Sequence, residues 1–70
     1  MLEKGDAYQK SDNYYDAISF YTKAIELKPN SNIGYFKRGV SYFSLKNYQY
    51  AIFDFNKAIK LNAKDPLQYS

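Results

Sequence analysis

Two stretches of this chain, thirty-four residues apart, carry the same pattern. Tyr14, Ala17, Ile18, Lys23, Ala24, Ile25 and Leu27 recur as Tyr48, Ala51, Ile52, Lys57, Ala58, Ile59 and Leu61. Upstream, Gly5, Tyr8 and Asn13 match Gly39, Tyr42 and Asn47. Laying residues 1–36 over 35–70 gives eleven identities, against about two by chance for ordinary composition. A fixed period of this size marks a repeat architecture, in which no single unit can bury its apolar face alone. Such folds present extended surfaces to partners.

Seventy residues without Cys or His have no disulfide and none of the thiolate and imidazole ligands of structural zinc. Stability must come from helix packing or from neighbours, because a single core of this size is marginal. At 46% hydrophobic and 20% aromatic residues, the composition is that of a globular chain. The net charge of +3 is uneven, −1 over residues 1–34 and +4 over 35–70. A lysine-rich solvated surface is the reading of that excess, since the one arginine, Arg38, falls short of a phosphate-tracking cluster. No apolar run approaches the roughly 20 residues that span a bilayer. The first residues lack the apolar stretch of a signal peptide. An intracellular, cytoplasmic protein is the expectation.

Residues 14–28 place Tyr14, Ala17, Ile18, Tyr21, Ala24 and Ile25 on one face of a 3.6-residue period, with Asp16, Ser19, Lys23 and Glu26 opposite. Ser11-Asp12-Asn13 supplies capping residues before this helix, and Lys28-Pro29 ends it. Residues 48–61 repeat the stripe with Tyr48, Ala51, Ile52, Phe55, Ala58 and Ile59. Helices over 1–11 and about 32–45 precede these two, the latter capped by Ser31 or Asn32. Asp65 and Pro66 read as the start of a further helix, so 66–70 opens a third unit, with Tyr69 in the place of Tyr35. Glycine inside a helix costs about 1 kcal/mol relative to alanine. The recurrence of Gly5 and Gly39 therefore predicts close helix approach, with Ala17 and Ala51 as the small counterparts. Tyr8, Tyr14, Tyr21, Tyr35, Tyr42 and Tyr48 fall at packing positions, whereas Tyr15, Tyr50 and Phe53 fall off the stripe and are expected to be exposed.

These residues resemble the tetratricopeptide repeat over the whole chain. The family favours an aromatic, Gly, Tyr, Ala, an aromatic, Ala and Pro where the first unit has Met1, Gly5, Tyr8, Ala17, Tyr21, Ala24 and Pro29. The second unit supplies Tyr35, Gly39, Tyr42, Ala51, Phe55, Ala58 and Ala63, so Met1 and Ala63 depart from the pattern. The resemblance implies an all-α, right-handed solenoid of helix hairpins in one domain, with repeats at 1–31 and 32–65 and a partial third at 66–70. It also implies a concave groove, lined by the first helix of each hairpin, that receives a segment of another protein.

Carried over residue by residue, the groove positions are Leu2, Asp6, Gln9 and Lys10 in the first unit and Ile33, Phe36, Val40, Phe43 and Ser44 in the second. The helix over 32–45 has more apolar residues than one buried stripe needs. Tyr35, Gly39 and Tyr42 take the packing face, and Phe36, Val40 and Phe43 lie on another. A helix apolar on two faces is either buried on both or offers a surface to a partner, and both readings stand at this point. Chaperone-binding members of the family grip a partner's C-terminal carboxylate with Lys and Asn where this chain has Leu2 and Asp6. They have Asn at Val40 and Lys at Ser70, so a chaperone tail is not the expected partner; if Phe36, Val40 and Phe43 line the groove, they suit an apolar, helical segment instead.

No catalytic constellation is present. Without His or Cys there is no imidazole base and no thiol nucleophile. The carboxylates read as solvated, and Gly5, Gly34 and Gly39 form no phosphate loop. The expectation is a non-enzymatic interaction module with no cofactor, metal or membrane, and with nucleic acid disfavoured. Self-association through the open edge of the array, around Phe55, Ile59 and Leu61, is the alternative.

Overall fold

The computed structural model describes residues 2–63, so Met1 and the expected third-unit opening at 66–70 lie outside the described residues. Four helices follow in order: α1 (Leu2–Lys10), α2 (Tyr14–Leu27), α3 (Asn32–Ser44) and α4 (Tyr48–Ala63). Their bounds lie within one or two residues of those read from periodicity. The main packing is sequential, α1 on α2, α2 on α3 and α3 on α4, as two stacked hairpins require.

Local chemistry sets the ends. Ser31 caps α3, its Oγ accepting from the Gly34 N–H at 3.2 Å, which satisfies one of the free donors of the first turn. Asn13 stands at the N-cap of α2 without a side-chain bond, and Asp12 instead accepts from the Tyr14 hydroxyl at 2.9 Å. Both hairpin turns use one device. Asn13 N–H donates to Tyr8 C=O and Asn47 N–H to Tyr42 C=O, at 2.8 and 2.9 Å, closing the helix end around a left-handed residue. That residue is Asp12 (φ 62°) in the first turn and Lys46 (φ 64°) in the second. A left-handed conformation is unfavourable for a side chain as long as lysine. Lys46→Gly is therefore expected to stabilise the chain by roughly 0.5–1 kcal/mol, read as a higher urea midpoint at unchanged slope.

The core is small and centres on α2 and α4: Ala17, Tyr21, Ile25, Ala51 and Ala58 are buried. The helical glycines do mark close approach, but their counterparts are aromatic rings. A methyl on Gly5 would fall 2.5 Å from the Tyr21 ring, and one on Gly39 would fall 2.8 Å from the Phe55 ring. The flat dent left by a missing Cβ seats a flat ring, so Ala17 and Ala51 are not the first atoms met. Each hairpin also stacks the tyrosine of its first helix on an aromatic of its second, Tyr8 on Phe20 at 5.4 Å and Tyr42 on Tyr50 at 5.3 Å.

The two apolar stripes are not equally covered. Ile25 is 7% exposed because α3 lies over it, with Gly34 as its seat. Its counterpart Ile59 is 66% exposed, and Ile52 and Tyr48 are also exposed. The expectation that Tyr48 packs inside is corrected: it lies at the surface, edge-on to Phe43 at 5.4 Å. Tyr8, Tyr14, Tyr35 and Tyr42 are half-buried and Tyr21 fully buried. Tyr15, Tyr50 and Phe53 are exposed as expected.

Candidate functional site

Helix α3 divides its faces cleanly. Gly34, Gly39 and Ser41 are buried, while Ile33, Phe36 and Phe43 are 52%, 54% and 57% exposed. Val40 is half-buried between them and Ser44 is exposed. Ile33 and Phe36 continue into an open apolar groove of about 480 Å³, whose far wall is Phe55, Ala58 and Ile59 of α4. Phe36 leans on Phe55 with ring centres 5.6 Å apart. Phe43 lies on the Tyr48 ring. The candidates of the second unit thus form one strip along α3, open at one end to the α3–α4 groove.

The candidates of the first unit behave differently. Leu2 is the first residue of α1. Asp6 is half-buried and receives both the Lys37 ammonium, at 2.7 and 2.9 Å, and the Tyr21 hydroxyl at 2.6 Å. Gln9 Oε1 accepts from the buried Ser41 hydroxyl at 2.6 Å. Asp6 and Gln9 therefore tie α1 to α3, and Lys10 is exposed. The Lys37 and Tyr21 hydrogen bonds hold the Asp6 carboxyl below the usual carboxylate range. Burial, then the bond to Asp6, pushes the Tyr21 hydroxyl well above its ordinary value. A carboxylate with a depressed folded-state pKa adds stability that is complete above about pH 4 and is lost as the pH falls through the folded value. Asp6→Asn should thus cost stability at pH 7 and progressively less towards pH 2, a difference that urea melts at the two pH values will show.

A second polar cluster was not expected from the sequence. Arg38 Nε and Nη2 each donate to Asp54 at 2.8 Å, and Nη1 donates to Thr22 Oγ1 at 3.2 Å. Asp54 is 1% exposed, so its reading as a solvated carboxylate is corrected. The Asp54 bonds raise the Arg38 pKa above its usual value against the opposing effect of burial. One period earlier the pair is Lys4 and Phe20, and there Lys4 Nζ lies over the Phe20 ring at 5.8 Å. Both members change together between the units, an ion pair replacing a cation–ring contact at one place in the hairpin. Arg38 also lies over the rings of Tyr35 and Tyr42, at 5.4 and 6.0 Å. Among the described residues no cluster of His, Cys, Asp or Glu could hold a metal ion. None of the described helices is long and apolar enough to cross a membrane.

The tetratricopeptide repeat model matches residues 2–31 and again 33–65. The chain belongs to the tetratricopeptide repeat family. Human serine/threonine-protein phosphatase 5 is 42% identical over 64 residues, covering 91% of this chain and 13% of the phosphatase. Human RNA polymerase II-associated protein 3 is 37% identical over 70 residues, all of this chain and 10% of that protein. Hsp70-Hsp90 organizing protein 3 of Arabidopsis thaliana is 43% identical over 51 residues, 73% of this chain and 9% of that protein. The chain thus spans only about a tenth of the length of these relatives. A tetratricopeptide repeat is generally a protein–protein interaction unit.

Proposed function

We propose that this tetratricopeptide repeat module binds an apolar, helical segment of a partner protein on α3 and in the groove between α3 and α4. One observation carries the reading: Ile33, Phe36 and Phe43 are each more than half exposed on one helix, along one strip. Large apolar side chains grouped in this way supply the anchors of an interface, while polar neighbours such as Gln9 and Ser44 form its rim. The geometry of the occupant has a precedent inside the chain. Helix α3 covers Ile25 of α2, and the same position on α4, Ile59, is uncovered. A helix with a small contact residue fits that edge.

A carboxylate-terminated partner fits poorly. Lys37 is committed to both oxygens of Asp6, and Val40 offers no donor. The module contributes binding through its exposed apolar side chains. Phe36→Ala/Phe43→Ala is expected to lower capture of the partner at least tenfold, the effect of removing two anchors of about 1–2 kcal/mol each, with helicity unchanged by circular dichroism. Collapse of the helical signal would instead assign both rings to packing.

Self-association is the second reading, favoured by the contrast between Ile59 and Ile25. Sedimentation over a concentration series separates the two: a monomer at every concentration removes it.

A further inference from the structure

The outward face of α4 differs from that of α2 by more than hairpin packing explains: Tyr50 stacks on Tyr42 as Phe20 does on Tyr8, but Phe53, Lys57 and Lys60 join no ring stack or ion pair among the described residues. Tyr50, Phe53, Lys57 and Lys60 lie at i, i+3, i+7 and i+10, which places them on one helical stripe. The same four positions of α2 hold Asp16, Ser19, Lys23 and Glu26, all exposed. The hairpin therefore folds with nothing apolar there and a net charge of −1. On α4 the same stripe carries two aromatic rings and a net +2. Tyr50 and Phe53 are 59% and 62% exposed. The acid of α4, Asp54, points inward and is neutralised by Arg38. Among the described residues neither Lys57 nor Lys60 has an ion-pair partner.

A niche of about 440 Å³ opens beside the rings, lined by Tyr42, Gln49, Tyr50 and Phe53 with the Arg38–Asp54 pair in its wall. It is separate from the α3–α4 groove and shares no lining residue with it.

We propose that this stripe is a second docking surface, for an acidic amphipathic segment of a partner protein. An apolar side chain of that segment fills the niche between Tyr50 and Phe53, and carboxylates at helical spacing pair with Lys57 and Lys60. Charge complementarity sets the sign of the partner, and the uncompensated lysines make the pairing steer association. Single-stranded nucleic acid is the less suitable polyanion. Two lysines release few counterions, the one arginine is committed to Asp54 and Thr22, and one face of Tyr50 is already covered by Tyr42. Only Phe53 is left as a free stacking platform. The niche takes a side chain rather than a flat base.

The test titrates the full chain, by fluorescence anisotropy, with a labelled 14-residue helical peptide of Glu at every third or fourth position and Leu and Phe between. The variant is Phe53→Ser/Lys60→Glu, which gives α4 the residues of α2 at these two positions and leaves the Tyr42–Tyr50 stack intact. The expected result is binding to the unaltered chain that weakens at least tenfold in the variant, and at least tenfold when Gln replaces Glu in the peptide. Three results overturn the proposal: no binding by the unaltered chain, equal binding by the variant, or loss of binding in Phe36→Ala/Phe43→Ala, which would place the peptide on α3. A 14-nucleotide oligouridine that binds more tightly than the peptide, and is lost in the α4 variant, would also overturn it by assigning the stripe to RNA.

Discussion

Arg38→Ala is expected to remove most of the stability of this chain. The substitution leaves Asp54, at 1% exposure, as a buried carboxylate with no cation. Breaking one side of such a pair costs about 3–5 kcal/mol, and a 70-residue domain has only about 4–10 kcal/mol in total. Asp54→Ala should be comparably damaging, because the Arg38 side chain is 16% exposed and would lose two charge-assisted bonds. The pair as a whole is worth far less than either half implies. Desolvating both groups offsets most of their attraction, so Arg38→Met/Asp54→Leu, which replaces both with apolar groups, should fall within about 1 kcal/mol of the parent. Urea melts of the three variants test this. Single substitutions that cost less than about 1 kcal/mol would show that water reaches the site and that the pair is not structural.

Gly5→Ala is expected to destabilise by about 1–3 kcal/mol, even though alanine is the better helix former by about 1 kcal/mol. The new methyl would fall 2.5 Å from the Tyr21 ring. That ring is completely buried and its hydroxyl is held by Asp6, so it has nowhere to move. Gly39→Ala meets a more accommodating neighbour. The methyl would lie 2.8 Å from the Phe55 ring and 3.2 Å from the Asp54 Cβ; Phe55 is half-buried on the wall of an open groove and can swing outward, which leaves only the looser contact with Asp54. Gly5→Ala should therefore cost more than Gly39→Ala. Thermal melts that reverse it would mean the ring positions are not what fixes the glycines.

The architecture was legible because the 34-residue period repeats its packing residues, and two helix ends carry a plain local signal. Pro29 stops α2, and Ser31 caps α3 through a bond to Gly34. The exposure of Tyr50 and Phe53 could likewise be read from their place off the stripe. Contacts between helices were less legible, because they join residues with no local relation. Arg38 and Asp54 are sixteen residues apart, and so are Lys4 and Phe20. The available signal was that both positions depart from the first unit together. Asp6 and Lys37 give the same lesson: their counterparts are Val40 and Glu3, and that change marks the bridge from α1 to α3. The exposure of Ile59 followed from its place at the open edge of the array and not from periodicity, since the stripe on α4 is identical in kind to that on α2. What differs is the helix lying over it.

The proposal that α3 carries the binding face is tested most directly by amide chemical-shift mapping of the full chain, with an apolar helical peptide selected from a random library for binding to it. Docking on α3 and in the α3–α4 groove predicts shifts concentrated at residues 33–43 and 55–59, and no saturable shifts in Phe36→Ala/Phe43→Ala. Shifts confined to α2, or saturable binding that survives in that variant, would contradict it.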